Sequence, residues 1–362
     1  MVYFDLSLKS HDMEENMTYQ DVLKQASLCS GPYCKACPVC DGRACKGILP
    51  GPGAKGSGDV AIRNYDAWQK IRINMNTICE NKEPDTSFSF FGATLKIPVM
   101  AGPVGAVPLH YGDKLNDVAY NELLVSGAAK AGILAFTGDG TDSGVMKAAC
   151  LSIKKNKGRG VPTIKPWDMT TLEEKLSLTE ESQCIAIAMD VDAAGLPFLQ
   201  GRIPPAGSKT VSDLQEVIQK AKKPFIVKGI MTVNGARCAV KAGASAIVVS
   251  NHGGRVLDQT PSTAEVLEEI ADAVGNEVMI LVDGGIRSGI DVFKALALGA
   301  DAVLIARPFV TSVYGGGEEG VALYTEKLRS ELSDTMNMCG VHSLSEITKE
   351  CLFKTKSQFV SF

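Results

Sequence analysis

Four side chains suited to holding an anion or moving a proton recur along the second half of this sequence: Lys228, His252, Asp283 and Arg307. They lie 24, 31 and 24 residues apart (252−228, 283−252 and 307−283), and each closes an apolar run: PFIVK, AIVVSNH, VMILVD and AVLIAR. That interval is one strand plus one returning helix, and in a barrel of such units the carboxyl ends of all the strands open on one face. The four residues are therefore expected in one cavity. His252 stands in SNHGGRVLDQ, where a glycine pair lets the backbone turn tightly and Arg255 follows three residues later. An imidazole that can accept a proton beside a guanidinium that can grip a carboxylate with two prongs is a pairing for deprotonating an anionic substrate. Lys228 ends a strand of Phe, Ile and Val, where an ammonium is costly unless it faces an anion or an electron-rich ligand. DGGIRSG (283–289) and ARP (306–308) place a glycine pair and two arginines after the last two strands, where barrels of this kind hold phosphate.

The elements that must position these groups are legible as short apolar runs at 97–101, 132–136, 161–164, 185–191, 224–229, 246–251, 278–284 and 302–307. Eight strands close a barrel. The segments 233–243, 262–275 and 289–300 carry apolar residues three and four apart with glycine near their ends, which predicts helices between the strands. Continuous apolar strands flanked by such helices mean a parallel sheet covered on its outside. The expected fold class is α/β: a (β/α)8 TIM barrel with an N-terminal Cys-rich extension and a C-terminal helical tail. Residues 1–96 form the extension that caps the barrel, and 97–362 the barrel with its C-terminal helices. An open doubly wound sheet would more often carry a Gly-rich first turn. The stretch 50–58, PGPGAKGSG, reads as a loop. The tail from 318 onward holds a long amphipathic helix and a shorter one after His342.

The chain has 362 residues, room for one barrel of ~250 residues with extensions. A net charge of −4 argues against a grip on nucleic-acid backbones, which needs a surplus of Lys and Arg on one face. The first thirty residues lack the apolar core of a signal peptide, and no stretch approaches ~20 uninterrupted apolar residues. A cytoplasmic protein without nucleic-acid or membrane partners is expected.

SNHGGRVLDQ followed by LVDGGIRSGIDVFKALALGADAVLIARP resembles the FMN-dependent 2-hydroxy-acid oxidases and dehydrogenases, the family of glycolate oxidase, lactate oxidase and mandelate dehydrogenase. The resemblance extends from about Asp59 to the end. It implies FMN as cofactor and oxidation of a small 2-hydroxy acid to the 2-oxo acid. His252 then matches the catalytic base, Arg255 the anchor of the substrate carboxylate and Asp192 the aspartate that hydrogen-bonds the histidine. Lys228 matches the lysine beside the flavin ring, and Asp283 the ribityl-binding acid. Gly284, Gly285, Arg287, Ala306 and Arg307 match the phosphate cradle, with Ala306 in place of a common glycine. Val104, Gly105, Thr137, Asp190 and Ser250 fall at strand ends where further flavin contacts are implied. The family also implies a homo-oligomer, a tetramer.

The chain departs from that pattern on the substrate side. No tyrosine occurs between Cys45 and Tyr65, where the family places one that binds substrate. Where a second is expected the chain reads TIKPWDM, so that Lys165 or Trp167 takes the space. Arg202 is a loose counterpart of a second carboxylate arginine. Ahead of the barrel, Cys34-x2-Cys37-x2-Cys40-x4-Cys45 offers closely spaced thiolates for zinc or an iron-sulfur cluster, with reduced thiols or a disulfide as the alternative. The electron acceptor is not specified by these residues. Other uses of the same barrel are reductive or non-redox, isomerase-like chemistry, and electron transfer through an N-terminal metal cluster.

Overall fold

The computed structural model describes residues 17–199, 201–203 and 205–353. A two-stranded antiparallel hairpin, β1 (Phe88–Phe90) and β2 (Ala93–Leu95), precedes eight parallel strands that close on themselves. These are β3 (Val99–Ala101), β4 (Leu134–Thr137), β5 (Val161–Ile164), β6 (Ile187–Asp190), β7 (Phe225–Ile230), β8 (Ala246–Val249), β9 (Met279–Val282) and β10 (Ala302–Ile305). Each pairs in parallel with the next, and β10 closes on β3. All eight coincide with the apolar runs of the sequence, and β6 is the shorter for a 3₁₀ turn that begins at Val191.

Although the strands are mostly apolar on both faces, their side chains still divide with period two. Met100, Phe136, Ala188, Ile226, Val248, Leu281 and Leu304 form the inner core. Val99, Ala101, Ile187, Val227, Ile247, Val303 and Ile305 face outward into the layer under the helices. Phe90 and Leu95 of the hairpin join the inner core and close the barrel at the amino ends of its strands, leaving the carboxyl ends free.

The helices begin where the sequence caps them. Thr210, Ser262 and Ser288 each accept from a backbone N–H three residues on, and Asp213, Glu265 and Asp291 return the bond. The tail departs from expectation. A single helical run, Arg307–Cys339, begins directly after β10 with Pro308 in its first turn and kinks at Gly317. After His342 the chain makes two 3₁₀ turns, Leu344–Glu346 and Lys349–Cys351, in place of a short α-helix. Helix Tyr19–Cys29 of the extension lies on the long helix so closely that a Cβ on Gly315 would sit 1.9 Å from the Val22 carbonyl oxygen.

Helix Asp59–Lys70 fastens the extension over the open end. The Trp68 indole N–H donates to the Gly284 carbonyl (2.7 Å), and the Asn64 and Asn251 amides exchange two hydrogen bonds (2.8 and 2.9 Å). The loop at 50–58 also docks here, with Lys55 N–H donating to the Gly254 carbonyl (2.8 Å).

Candidate active site

The carboxyl ends of the strands enclose a cavity of about 380 Å³, within the range that holds a cofactor-sized ligand. Lys228, His252, Asp283 and Arg307, read from their spacing, all line it. Lys228 projects from β7 with only 3 % of its side chain exposed. Its Nζ donates to Ser250 Oγ (2.9 Å) and lies 3.2 Å from Asp283 Oδ2. Burial alone would lower its pKa, but the charges of Asp283, Asp192 and Asp190 outweigh it and hold the ammonium above its usual range.

His252 sits at φ 55, just past β8, in a left-handed turn that its neighbouring glycines make accessible. Its backbone N–H donates to Ser250 Oγ (3.1 Å), so one hydroxyl ties the histidine and Lys228 together. Its Nδ1 lies 3.0 Å from Asp192 Oδ1, carried on the 3₁₀ turn Val191–Gly195 after β6. Asp192 therefore accepts a hydrogen bond from Nδ1–H, which holds the proton on Nδ1 and leaves Nε2 as the basic nitrogen. Burial lowers the pKa of the imidazole and Lys228 adds to this, while Asp192 opposes them. Burial would raise Asp192, but the neighbouring His252 and Lys228 bring it below the usual carboxylate value. A neutral imidazole is thus paired with a charged carboxylate at neutral pH.

Arg255 is held by the loop ahead of the barrel. Its Nη1 donates to the carbonyls of Gly51 (2.7 Å) and Gly53 (3.2 Å), and its Nη2 lies 3.0 Å from His110 Nε2. With Nη1 committed, Nε and Nη2 remain, an adjacent pair of the kind that receives a carboxylate. Burial and the neighbouring Arg307 lower this guanidinium to about 10, so it stays charged at neutral pH. His110 follows β3 in the short helix Val107–Tyr111 and has no counterpart among the residues singled out from the sequence. Its partners are 59 and 145 residues away, and only its rarity, as one of four histidines, marked it.

At the opposite end the two cradle arginines are oriented by carbonyls: Arg287 by Cys40 (2.7 Å) and Ile286 (2.6 Å), Arg307 by Pro52 (2.8 Å) and Gly253 (3.0 Å). Gly285, at φ 82, passes so near helix Asp59–Lys70 that a Cβ would stand 2.2 Å from the Asn64 carbonyl oxygen. Gly284, Ala306, Val104 and Gly105 line the same cavity, as do Lys165 and Arg202.

The pattern of the family described as FMN-dependent dehydrogenase matches residues 52–198 and 198–354. The chain belongs to the FMN-dependent dehydrogenase family. A peroxisomal (S)-2-hydroxyacid oxidase of Arabidopsis thaliana is 45% identical over 137 residues, 38% of either chain. An L-lactate dehydrogenase of Bartonella tribocorum is 48% identical over 143 residues, 40% of this chain and 37% of the relative. The matched segment thus spans about two fifths of these curated relatives. Over nearly the whole chain the fold is similar to that of a lactate oxidase of Pediococcus acidilactici, with a TM-score of 0.76, 27% identity and coverage of 94% and 95% of the two chains. A mandelate oxidase is similar at a TM-score of 0.74 and 26% identity, over 93% and 98%.

The residues around the cavity fit FMN. Asp283 Oδ1 and Thr163 Oγ1 are buried without a hydrogen-bond partner in the protein and belong to residues that line the cavity, where a cofactor's hydroxyls and ring heteroatoms would satisfy them; Thr137 Oγ1, at the end of β4, is also without a partner but does not line the cavity. Asp283, the Gly284–Gly285 pair, Arg287, Ala306 and Arg307 would hold the ribityl phosphate, and Lys228 the ring. Asp190 and Ser250, expected at the flavin, do not line the cavity; Asp190 accepts from Lys165 Nζ (2.5 Å) and Ser250 from Lys228 Nζ (2.9 Å).

Two further expectations are corrected by the structure. Trp167 is fully buried and does not reach the cavity. Its N–H donates to the Lys165 carbonyl (2.8 Å), a turn that sends the indole inward to donate to Asp139 Oδ2 (2.7 Å), beside the buried Lys175–Asp139 ion pair (2.6 Å). Cys34, Cys37, Cys40 and Cys45 do not assemble a metal centre. Among the described residues no three His, Cys, Asp or Glu side chains are placed to hold an ion. The four thiols are spread around a second cavity of about 300 Å³ behind Arg287 and Arg307, and burial pushes the Cys34 thiol up to about 12.

Proposed function

We propose that this protein uses FMN to oxidise a small 2-hydroxy acid to the 2-oxo acid. The observation that carries the proposal is the convergence on one cavity of a neutral imidazole locked by Asp192 and a carboxylate anchor on Arg255. FMN, when bound, supplies the acceptor for the two electrons and for the second of the two hydrogens that the substrate loses.

The chain's own groups divide the remaining work. Arg255, with Nε and Nη2, fixes the substrate carboxylate and so fixes the orientation of the neighbouring hydroxyl-bearing carbon. His252 Nε2 removes the proton. The positive charge that then develops on the ring is stabilised by Asp192 at Nδ1, and holding the tautomer in advance saves reorganisation during the reaction. Lys228, buried and charged, would set a fixed positive charge beside the flavin ring when FMN is bound. Helix Asp59–Lys70 and the 50–58 loop cover the site and keep water from it.

Lys165 stands at the cavity wall with its Nζ on Asp190, and Arg202 lies exposed at the mouth. These two cations select among 2-hydroxy acids in this reading. A homo-oligomer, a tetramer in the cytoplasm, belongs to the same proposal. No described helix is long and apolar enough to cross a membrane.

The test is anaerobic mixing of the FMN-loaded protein with a panel of 2-hydroxy acids of differing side chain. Bleaching of the oxidised flavin by at least one of them is the expected result. A flavin that dithionite reduces and none of the acids does would refute the proposal.

A further inference from the structure

His110 is 5 % exposed, faces the cavity and presents each of its ring nitrogens to a hydrogen-bond donor. The Gly51 backbone N–H points at Nδ1 (3.0 Å), and Arg255 Nη2 lies 3.0 Å from Nε2. Neither donor has a lone pair to offer in return. A neutral imidazole carries one lone pair and one N–H, so it can accept from only one of the two. A protonated ring could accept from neither, and burial together with the Arg255 charge pushes the pKa of His110 down to about 3.

The contact that keeps the lone pair is decided by which donor can move. Gly51 N–H belongs to a backbone segment fixed on both sides, its own carbonyl accepting from Arg255 (2.7 Å) and Gly53 N–H donating to the Ile48 carbonyl (3.1 Å). Arg255 is anchored to this loop through Nη1, so its Nη2 can turn about that contact whereas the Gly51 N–H cannot. The lone pair therefore sits on Nδ1 and the proton on Nε2. His110 Nε2–H and Arg255 Nη2–H then occupy the same small volume as two donors with no acceptor between them. The Phe198 ring, 5.3 Å from the imidazole and tilted by 58°, limits how far His110 can swing away.

We infer that His110 is a substrate-binding residue, its Nε2–H and the Arg255 guanidinium together forming the receptor for the substrate carboxylate. An anionic oxygen placed between two donors accepts from both and removes their conflict. The inference rests on the proposed oxidation of a 2-hydroxy acid only for the identity of the carboxylate. It gives a neutral donor to the substrate half of the site, from the short helix Val107–Tyr111 after β3, in a chain with no tyrosine between Cys45 and Tyr65.

Two substitutions separate the functions of the two nitrogens. His110→Asn keeps an acceptor close to the Nδ1 position for Gly51 and loses the Nε2–H, whereas His110→Gln can place an amide N–H near Nε2. Oxalate, titrated into the FMN-loaded, oxidised proteins and followed by the flavin spectrum, reads carboxylate binding without turnover. The expected result is that His110→Asn binds oxalate roughly tenfold to a hundredfold more weakly, the effect of losing a hydrogen bond to a charged group, and that His110→Gln recovers most of the affinity. Melting temperature and FMN content are measured on the same samples. Parent-like oxalate affinity in folded, FMN-loaded His110→Asn would overturn the inference. So would equal weakening by Asn and Gln with FMN content falling in both, because that pattern marks a structural role. Oxalate binding is scored whether or not any 2-hydroxy acid reduces the flavin, so a failure of this inference is distinguishable from a failure of the proposed reaction.

Discussion

Replacing Asp192 by Asn removes a charge from a site where it is poorly screened, because the His252 and Asp192 side chains are only 15% and 11% exposed. The contact it alters, Nδ1 to Oδ1 at 3.0 Å, is already charge-assisted by the carboxylate and strengthens further, to an ion pair, when His252 gains its proton, and that increment is expressed in the transition state and not in the resting enzyme. A hydrogen bond to a charged group contributes about 1.5–3 kcal/mol. At ~1.36 kcal/mol per decade, flavin reduction should slow by roughly 10- to 150-fold, with FMN retained because Asp192 is not part of the cradle. The direction of the pH effect is also fixed. Base catalysis needs the neutral imidazole, whose pKa burial already lowers and Asp192 holds up. Without Asp192 the pKa falls further, so the acid limb of the rate profile should move to lower pH while the plateau drops. Anaerobic stopped-flow measurement of flavin reduction across pH gives both quantities. An FMN-loaded Asp192→Asn protein reduced within about twofold of the parent, or an acid limb displaced upward, would refute the reasoning.

Three further perturbations test the surrounding parts. Arg255→Lys should raise KM far more than it lowers kcat, because a point-like ammonium cannot reproduce the two-pronged contact; steady-state kinetics with a substrate from the panel checks this. Lys165→Met leaves the buried Asp190 without its 2.5 Å partner and should cost about 3–5 kcal/mol in urea unfolding, most of it recovered when Asp190→Asn is added. Gly285→Ala combines a φ of 82 with a Cβ driven against the Asn64 carbonyl, and should cost about 2–4 kcal/mol and release FMN on desalting.

Much of this was legible in the sequence because barrel strands are buried on both faces and so appear as unbroken apolar runs, each closed by the residue that meets the ligand. Lys228, His252, Asp283 and Arg307 could be placed in one cavity from spacing alone. The pairing of His252 with Asp192 could not, and came from the family resemblance, since Asp192 lies 60 residues away on a 3₁₀ turn with no local signature. Trp167 was misplaced because a residue just past a strand end looks solvent- or ligand-facing until the turn at Lys165 is known. Its partners Asp139 and Lys175 are buried charges that no local pattern reveals. His110 went unseen for the same reason. Cysteine spacing, in turn, suggests a ligand set, but whether side chains converge depends on backbone turns such as Ala36 at φ 44, which sequence does not specify.

The central claim is that His252 is the base for oxidation of the bound 2-hydroxy acid. Its most direct test is anaerobic flavin reduction by one substrate in His252→Ala and in the parent, both loaded with FMN. The account predicts that His252→Ala still binds oxalate while reduction slows by at least ~100-fold, the scale of losing a general base. Reduction of the His252→Ala flavin at the parent rate would contradict it, because the proton would then be leaving by another route.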